Sequence, residues 1–151
     1  MPFTNIQKED QFWLKNVHYC LRDIFGRSQP SAEAYADMFT GGTIFQPYLN
    51  ACYHHRWHSP VDGTIVDDYP IQGHYFADLS EFSSGLEEDS LSSCQPFLAS
   101  VSSRRIIIIE ADNPKVGKVG LVYIGMAEIS SCISSISKGQ KVKKGEELGR
   151  F

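Results

Sequence analysis

Cysteine is scarce and scattered in this sequence: four residues, Cys20, Cys52, Cys94 and Cys132, with no C-x-x-C pair among them. That spacing argues against a zinc knuckle or a dithiol redox motif, and it does not suggest a secreted disulfide scaffold. Long apolar runs are missing as well. The longest purely aliphatic run is Ile106-Ile107-Ile108-Ile109, far below the roughly 20 residues a helix needs to cross a bilayer. The first residues, Met-Pro-Phe-Thr-Asn, lead into charged ones and do not form a signal peptide. Positive charge is not in excess either. The net charge is −4 with no block of like charges, so nucleic acid is not an expected partner. The basic run 138–144 is offset at once by Glu146 and Glu147 and reads as a solvated hairpin rather than a phosphate-binding patch. No internal repeat is evident. The expectation from these absences is a reduced, intracellular protein, cytoplasmic or peripheral to a membrane surface.

What is present describes one globular domain with a real core, since 151 residues are 42% hydrophobic and only 21% charged. Residues 11–25 carry Phe12, Trp13, Leu14, Val17, Tyr19, Leu21, Ile24 and Phe25, a short strand running into a helical turn that ends near Gly26. Ser31 is placed to cap a short helix in which Tyr35, Met38 and Phe39 share a face, and Gly41-Gly42 stops it. Strands and turns follow. Residues 43–49 are strand-like, a strand restarts over 63–66 after Asp62-Gly63, and 78–95 read as a mobile loop. Residues 104–110 and 119–126 are apolar on both faces, as buried central strands are. The last residues alternate and turn at glycines. The predicted class is α+β: a β-dominated single domain with short helices near the N-terminus.

The chemistry concentrates in His54-His55-Arg56-Trp57-His58-Ser59-Pro60-Val61-Asp62-Gly63, which holds three of the five histidines. Imidazole titrates near neutral pH unaided, which suits proton transfer or metal binding. His55 and His58 fall on one face of a helical turn but on opposite faces of a strand, and Ser59-Pro60 favours an extended exit. On residue pattern alone three readings stand. Trp57 is a core anchor with solvated histidine neighbours; the histidines move protons; or they bind a metal with His74, Asp62 or Glu110 as third ligand. No strict metal spacing such as H-E-x-x-H is present. Glu110, Asp112 and Glu128 either line the site or close buried β hairpins; the structural role is the favoured one, and no catalytic role is assigned to them.

Two stretches, Ser59-Pro60-Val61-Asp62-Gly63-Thr64-Ile65 and Lys138-Gly139-Gln140-Lys141-Val142-Lys143-Lys144-Gly145-Glu146-Glu147-Leu148-Gly149, resemble the halves of a biotinyl/lipoyl-type β-sandwich hybrid. The carrier lysine of that class has no counterpart in Gly125-Met126-Ala127-Glu128. A shared sandwich- or barrel-like geometry is therefore expected, without a swinging arm.

Further blocks occur in one order. They are Phe12-Trp13-Leu14-Lys15, Gly41-Gly42-Thr43-Ile44, His55-Arg56-Trp57-His58-Ser59-Pro60-x-x-Gly63-Thr64-Ile65 and Gly73-x-Tyr75-Phe76, then Ile109-Glu110-Ala111-Asp112-Asn113, Val122-x-Ile124-Gly125-Met126-x-Glu128-Ile129-Ser130 and Lys144-Gly145-x-x-Leu148-Gly149-x-Phe151. Together they resemble the phosphatidylserine decarboxylase family over nearly the whole chain, and within it the soluble branch that includes fungal tryptophan decarboxylases. That resemblance implies a carboxy-lyase acting on an amino-carboxylate, either phosphatidylserine or a free L-amino acid. Its cofactor would be a pyruvoyl group, an N-terminal pyruvate made when a serine cleaves its own chain and sets free a small α-chain. The ketone condenses with the substrate amine and draws electrons as carbon dioxide leaves. The second histidine of the family's His-x-x-His is the base for that serine, and the first serves decarboxylation. These roles map to His58 and His55.

The resemblance also sets expectations about what is absent. The self-cleaving serine belongs to a Gly-Ser-Ser/Thr-like motif a few residues past Leu-Gly-x-Phe, and the sequence stops at Phe151. The acidic segment that orients the base lies upstream of the first block. The sequence as given is therefore expected to be an interior part of the larger chain, inactive by itself. The alternatives are an aromatic L-amino-acid (tryptophan) decarboxylase and a non-catalytic binding or regulatory domain that keeps the fold.

Overall fold

In a computed structural model, residues 3–8, 12–14, 17–47, 53–75, 101–126 and 129–151 are described, with backbone alone for 3, 12–14 and 17–19. The chain forms two compact units, Met1–Leu49 with Leu79–Ser100, and Asn50–Asp78 with Val101–Phe151.

In the first unit, β1 (Phe3–Thr4) pairs with β4 (Thr43–Ile44), and β2 (Phe12–Leu14) pairs with β3 (Val17–Tyr19), both antiparallel. The predicted single strand over this stretch is thus a tight hairpin. It leads into α1 (Leu21–Phe25), which ends at Gly26 with φ +83°, a backbone angle that glycine takes without strain. The helix α2 (Ala32–Phe39) begins after Ser31 as expected, although the Ser31 side chain makes no capping hydrogen bond. Its inward face differs from the one predicted. Ala32, Tyr35 and Ala36 are buried, whereas Met38 is exposed. The Phe25 ring sits 5.7 Å from Tyr35 and 5.3 Å from Phe39, which centres the apolar stripe on positions 32, 35, 36 and 39. Met38 lies about 100° of helix rotation away from that centre. The strand expected over 43–49 is only β4; residues 45–47 are not strand, and 48–49 fall outside the described residues.

The second unit holds two antiparallel sheets. Its strands are β5 (Arg56–His58), β6 (Gly63–Ile71), β7 (Arg104–Ala111), β8 (Lys118–Ile124), β9 (Ile133–Ser134), β10 (Lys141–Val142) and β11 (Glu147–Arg150). One sheet runs β10-β6-β7-β8 and the other β5-β11-β9. As predicted, β7 is central and buried on both faces, with Ile106, Ile107, Ile108 and Ile109 fully inside. The equal expectation for β8 fails. It is an edge strand among the described residues, half-buried along most of its length, because an apolar composition does not reveal how many neighbours a strand has. Strand β6 runs five residues past Val66, through Asp67-Asp68-Tyr69-Pro70, with a bulge between Ile65 and Asp67. Those polar residues look like a turn in sequence, but the sheet accommodates Asp68 because Arg105 on β7 neutralises it.

The basic run 138–144 is not a paired hairpin. β10 pairs with β6, whereas β11 pairs with β5 and β9, so the turns at Gly139 and Gly145 carry the chain from one sheet to the other. Both glycines have positive φ, +85° and +84°. Its lysines are solvated but anchored, Lys141 to Asp112 at 2.9 Å and Lys138 to Asp67 at 3.8 Å. The core of the unit draws on both sheets: Trp57, Ile65, Ile107, Ile109, Cys132, Ile136, Val142 and Leu148. Residues 78–95, expected to be a loop, lie outside the described residues.

Candidate functional site

Strand β5 is two-sided, and that decides how the histidine cluster is displayed. Side chains alternate along an extended chain. Trp57 turns inward and is buried, while Arg56 and His58 turn outward and are exposed. His55, immediately before the strand, is half-buried on the Trp57 side. The two candidate histidines therefore occupy opposite faces, as the strand alternative required.

The inner face is aromatic. The Trp57 ring lies flat on Tyr123 of β8, with centroids 4.1 Å apart and planes at 4°. Phe151 stands nearly perpendicular to both, 5.1 Å from Trp57 and 6.4 Å from Tyr123. The His55 imidazole meets the same Phe151 ring edge-on at 6.1 Å. Backbone pairing holds this geometry: Gly149 lies opposite Trp57, and the Phe151 N–H donates to the His55 carbonyl at 3.1 Å. Gly149 is required by close approach, since a β-carbon there would lie 2.8 Å from the Trp57 Cε3. Burial pushes the Tyr123 phenol well above its ordinary value, so it stays neutral throughout the working pH range. Among the described residues the buried indole Nε1 of Trp57 has no hydrogen-bond partner.

The outer face is charged. Glu147 lies opposite His58 in the β5–β11 register, and Arg150 lies opposite Arg56. A bulge at Leu148 turns that side chain into the core and keeps Glu147 and Arg150 outside. Nη1 of Arg56 donates to both oxygens of Glu147, at 2.6 and 2.8 Å, a diagonal ion pair across the two strands. Beyond His58 the chain is fixed by the Ser59 N–H donating to the Glu146 carbonyl and the Gly145 N–H donating to the Ser59 carbonyl.

The residues proposed as metal ligands do not gather. The Asp62 carboxylate accepts the Lys144 N–H at 2.9 Å, Glu110 pairs with Lys118 at 3.6 Å, and His74 sits in an isolated bridge to Ser102. Among the described residues no group of three His, Cys, Asp or Glu side chains is disposed to hold a metal ion. Asp112 pairs with Lys141, and its N–H donates to the Asp62 carbonyl. Glu128 is outside the described residues. Sequence reasoning missed Tyr123 and the Arg56–Glu147 pair. The only local signal for Tyr123 was one aromatic residue inside an aliphatic strand; for the pair there was none, since 91 positions separate the partners.

Comparison with known proteins gives a consistent set of relatives. The sequence profile of the family described as phosphatidylserine decarboxylase matches residues 1–151. The chain is 38% identical to decarboxylase iboD of Amanita muscaria, over 97% of this chain and 43% of that protein. It is 36% identical to an L-tryptophan decarboxylase of Psilocybe cyanescens, over 97% of this chain and 34% of that protein. It is 27% identical to phosphatidylserine decarboxylase proenzyme 3 of Schizosaccharomyces pombe, over 100% of this chain and 14% of that protein. The chain thus spans less than half the length of these relatives.

Proposed function

Because the chain belongs to the phosphatidylserine decarboxylase family, we propose that it forms part of a pyruvoyl-dependent carboxy-lyase whose substrate is an α-amino carboxylate. The observation that carries this reading is the display of His55 and His58 on opposite faces of one short strand, within a family match that spans residues 1–151. In this reading those residues form a single family domain with a sandwich-like β core.

A pyruvoyl group supplies the ketone that withdraws electrons from the substrate as carbon dioxide departs. The inner face fits such a group. It offers a half-buried imidazole beside the apolar rings of Phe151, Trp57 and Tyr123, surroundings that favour losing a charged carboxylate as neutral gas. His55 is the residue that returns a proton to the carbon left behind. His58, on the solvent side, is the base for the self-cleaving serine, which in the family lies on the same uncleaved chain and becomes the N-terminus of the small α-chain. Separate faces give the two proton-transfer tasks separate surroundings.

A second, finer reading is that the substrate is an aromatic L-amino acid rather than phosphatidylserine. The aromatic composition of the His55 face supports it, and so does the similarity to L-tryptophan decarboxylases. The experiment expresses the 151-residue chain and any longer product of its gene. Each is incubated with L-tryptophan and with phosphatidylserine, then assayed for tryptamine and phosphatidylethanolamine and for borohydride-trapped adduct. Release of either amine supports the carboxy-lyase reading, and the identity of the amine assigns the substrate. Failure of every product to release either one overturns it.

A further inference from the structure

Glu147 stands directly opposite His58 in the β5–β11 register, yet its carboxylate reaches diagonally to Arg56. Both of its oxygens accept from Arg56 Nη1, at 2.6 and 2.8 Å. Arg56 and His58 are two residues apart on β5, so they share the outer face. Directly opposed residues bring their β-carbons to about 5 Å of one another, within reach of a carboxylate and an imidazole. Among the described residues His58 nonetheless makes no hydrogen bond to Glu147. Charge explains the choice of partner. A guanidinium is always protonated and offers several N–H donors, whereas an imidazole must first gain a proton to match it.

The choice has a chemical consequence. A carboxylate left beside an imidazole engages a ring N–H and favours the protonated ring. A protonated ring has no lone pair with which to accept a proton. We propose that Arg56 is a positioning residue for the base His58: by holding both oxygens of Glu147 it keeps that carboxylate off the imidazole and leaves a ring nitrogen open to the self-cleaving serine. This rests on the reading of His58 as the base and deepens it. Arg150 lies opposite Arg56 on the same face and is the competitor for Glu147 once Arg56 is changed.

The test is a long-range proton–nitrogen NMR spectrum of the histidine rings in the nitrogen-15-labelled 151-residue chain at pH 7. Arg56→Gln is expected to shift the His58 ring nitrogens toward the positions of a protonated, carboxylate-paired imidazole. The double variant Arg56→Gln with Glu147→Gln should return them to the positions of the unaltered chain, and Arg56→Lys should leave them there. The His55 ring, on the opposite face, is the internal control: a general loosening of β5 would move both histidines, whereas release of Glu147 moves His58 alone. Backbone amide spectra report whether each variant is folded. Unmoved His58 signals in a folded Arg56→Gln chain would overturn the proposal, because Arg150 or water would then suffice to hold Glu147. A shift that persists in the double variant, or an equal shift of His55, would also overturn it. These outcomes leave the base reading in place. Normal chain cleavage by a His58→Ala variant of a longer, self-processing gene product would instead overturn the base reading, and the proposal with it.

Discussion

Arg105 holds the carboxylate of Asp68 through two nitrogens, Nε at 2.6 Å from Oδ1 and Nη2 at 2.9 Å from Oδ2. Asp68 is on β6, Arg105 on β7, and the Ser134 hydroxyl of β9 donates to the same carboxylate at 2.7 Å. The arrangement therefore ties the four-stranded sheet to the three-stranded one that carries His55 and His58.

Asp68→Ala is expected to destabilise the chain by about 3 kcal/mol, because it leaves a mostly buried guanidinium without its counter-charge. The double variant Asp68→Leu with Arg105→Leu should recover much of that loss, since no buried charge remains unpaired. Urea unfolding of the single and double variants measures both. A loss below about 0.5 kcal/mol for Asp68→Ala would show that the pair behaves as an exposed one.

Gly149→Ala places a methyl group against the Trp57 ring, within 2.8 Å of Cε3. The strand partner cannot give way easily, so overpacking of about 1–3 kcal/mol is expected. A reduced near-UV signal from Trp57 should accompany the lowered urea midpoint. An unchanged midpoint would mean that the two strands can separate at no cost.

Burial pushes the Cys132 thiol up to about 11 from its ordinary 9.0. The folded chain then holds the thiol proton more tightly than the unfolded chain. The stability linked to this group is fully present below pH 9 and is lost as the pH rises through 11. Tyr123 shifts in the same direction by burial and adds to the loss at higher pH. Alkylation mapped by mass spectrometry should find Cys132 protected at pH 8 in the native chain and modified once urea unfolds it. Modification of Cys132 in the folded chain at pH 8 would contradict this.

In a gene product that processes itself, His58→Ala should block chain cleavage, and His55→Ala should permit cleavage while lowering decarboxylation about 10²- to 10⁴-fold. His58 is exposed and His55 only half-buried, so neither change should shift the unfolding midpoint much. Gel analysis separates cleavage from turnover. Interchanged phenotypes would reverse the assignment of the two faces.

Much of the secondary structure was written locally. Four isoleucines in a row made β7 a buried strand, Gly26 and Gly41 marked helix ends, and Gly139 and Gly145 marked turns, because backbone angle and hydrophobicity act over a few residues. The His55–His58 pair was legible as chemistry for the same reason. Its two-sided display needed only the alternation of an extended chain.

Which neighbours those elements acquire was decided by the tertiary structure. Met38 faces out because Phe25 sets the direction of the α2 stripe. Asp67-Asp68-Tyr69-Pro70 stays in a strand because Arg105 arrives from 37 residues away. Tyr123 joins the His55 face because β11 returns to pair with β5 and brings Phe151 between them. Residue types and spacing determined which groups could do chemistry here. Long-range pairing, whose partners leave no periodicity in the local sequence, decided that one histidine looks onto aromatic rings and the other onto water and charge.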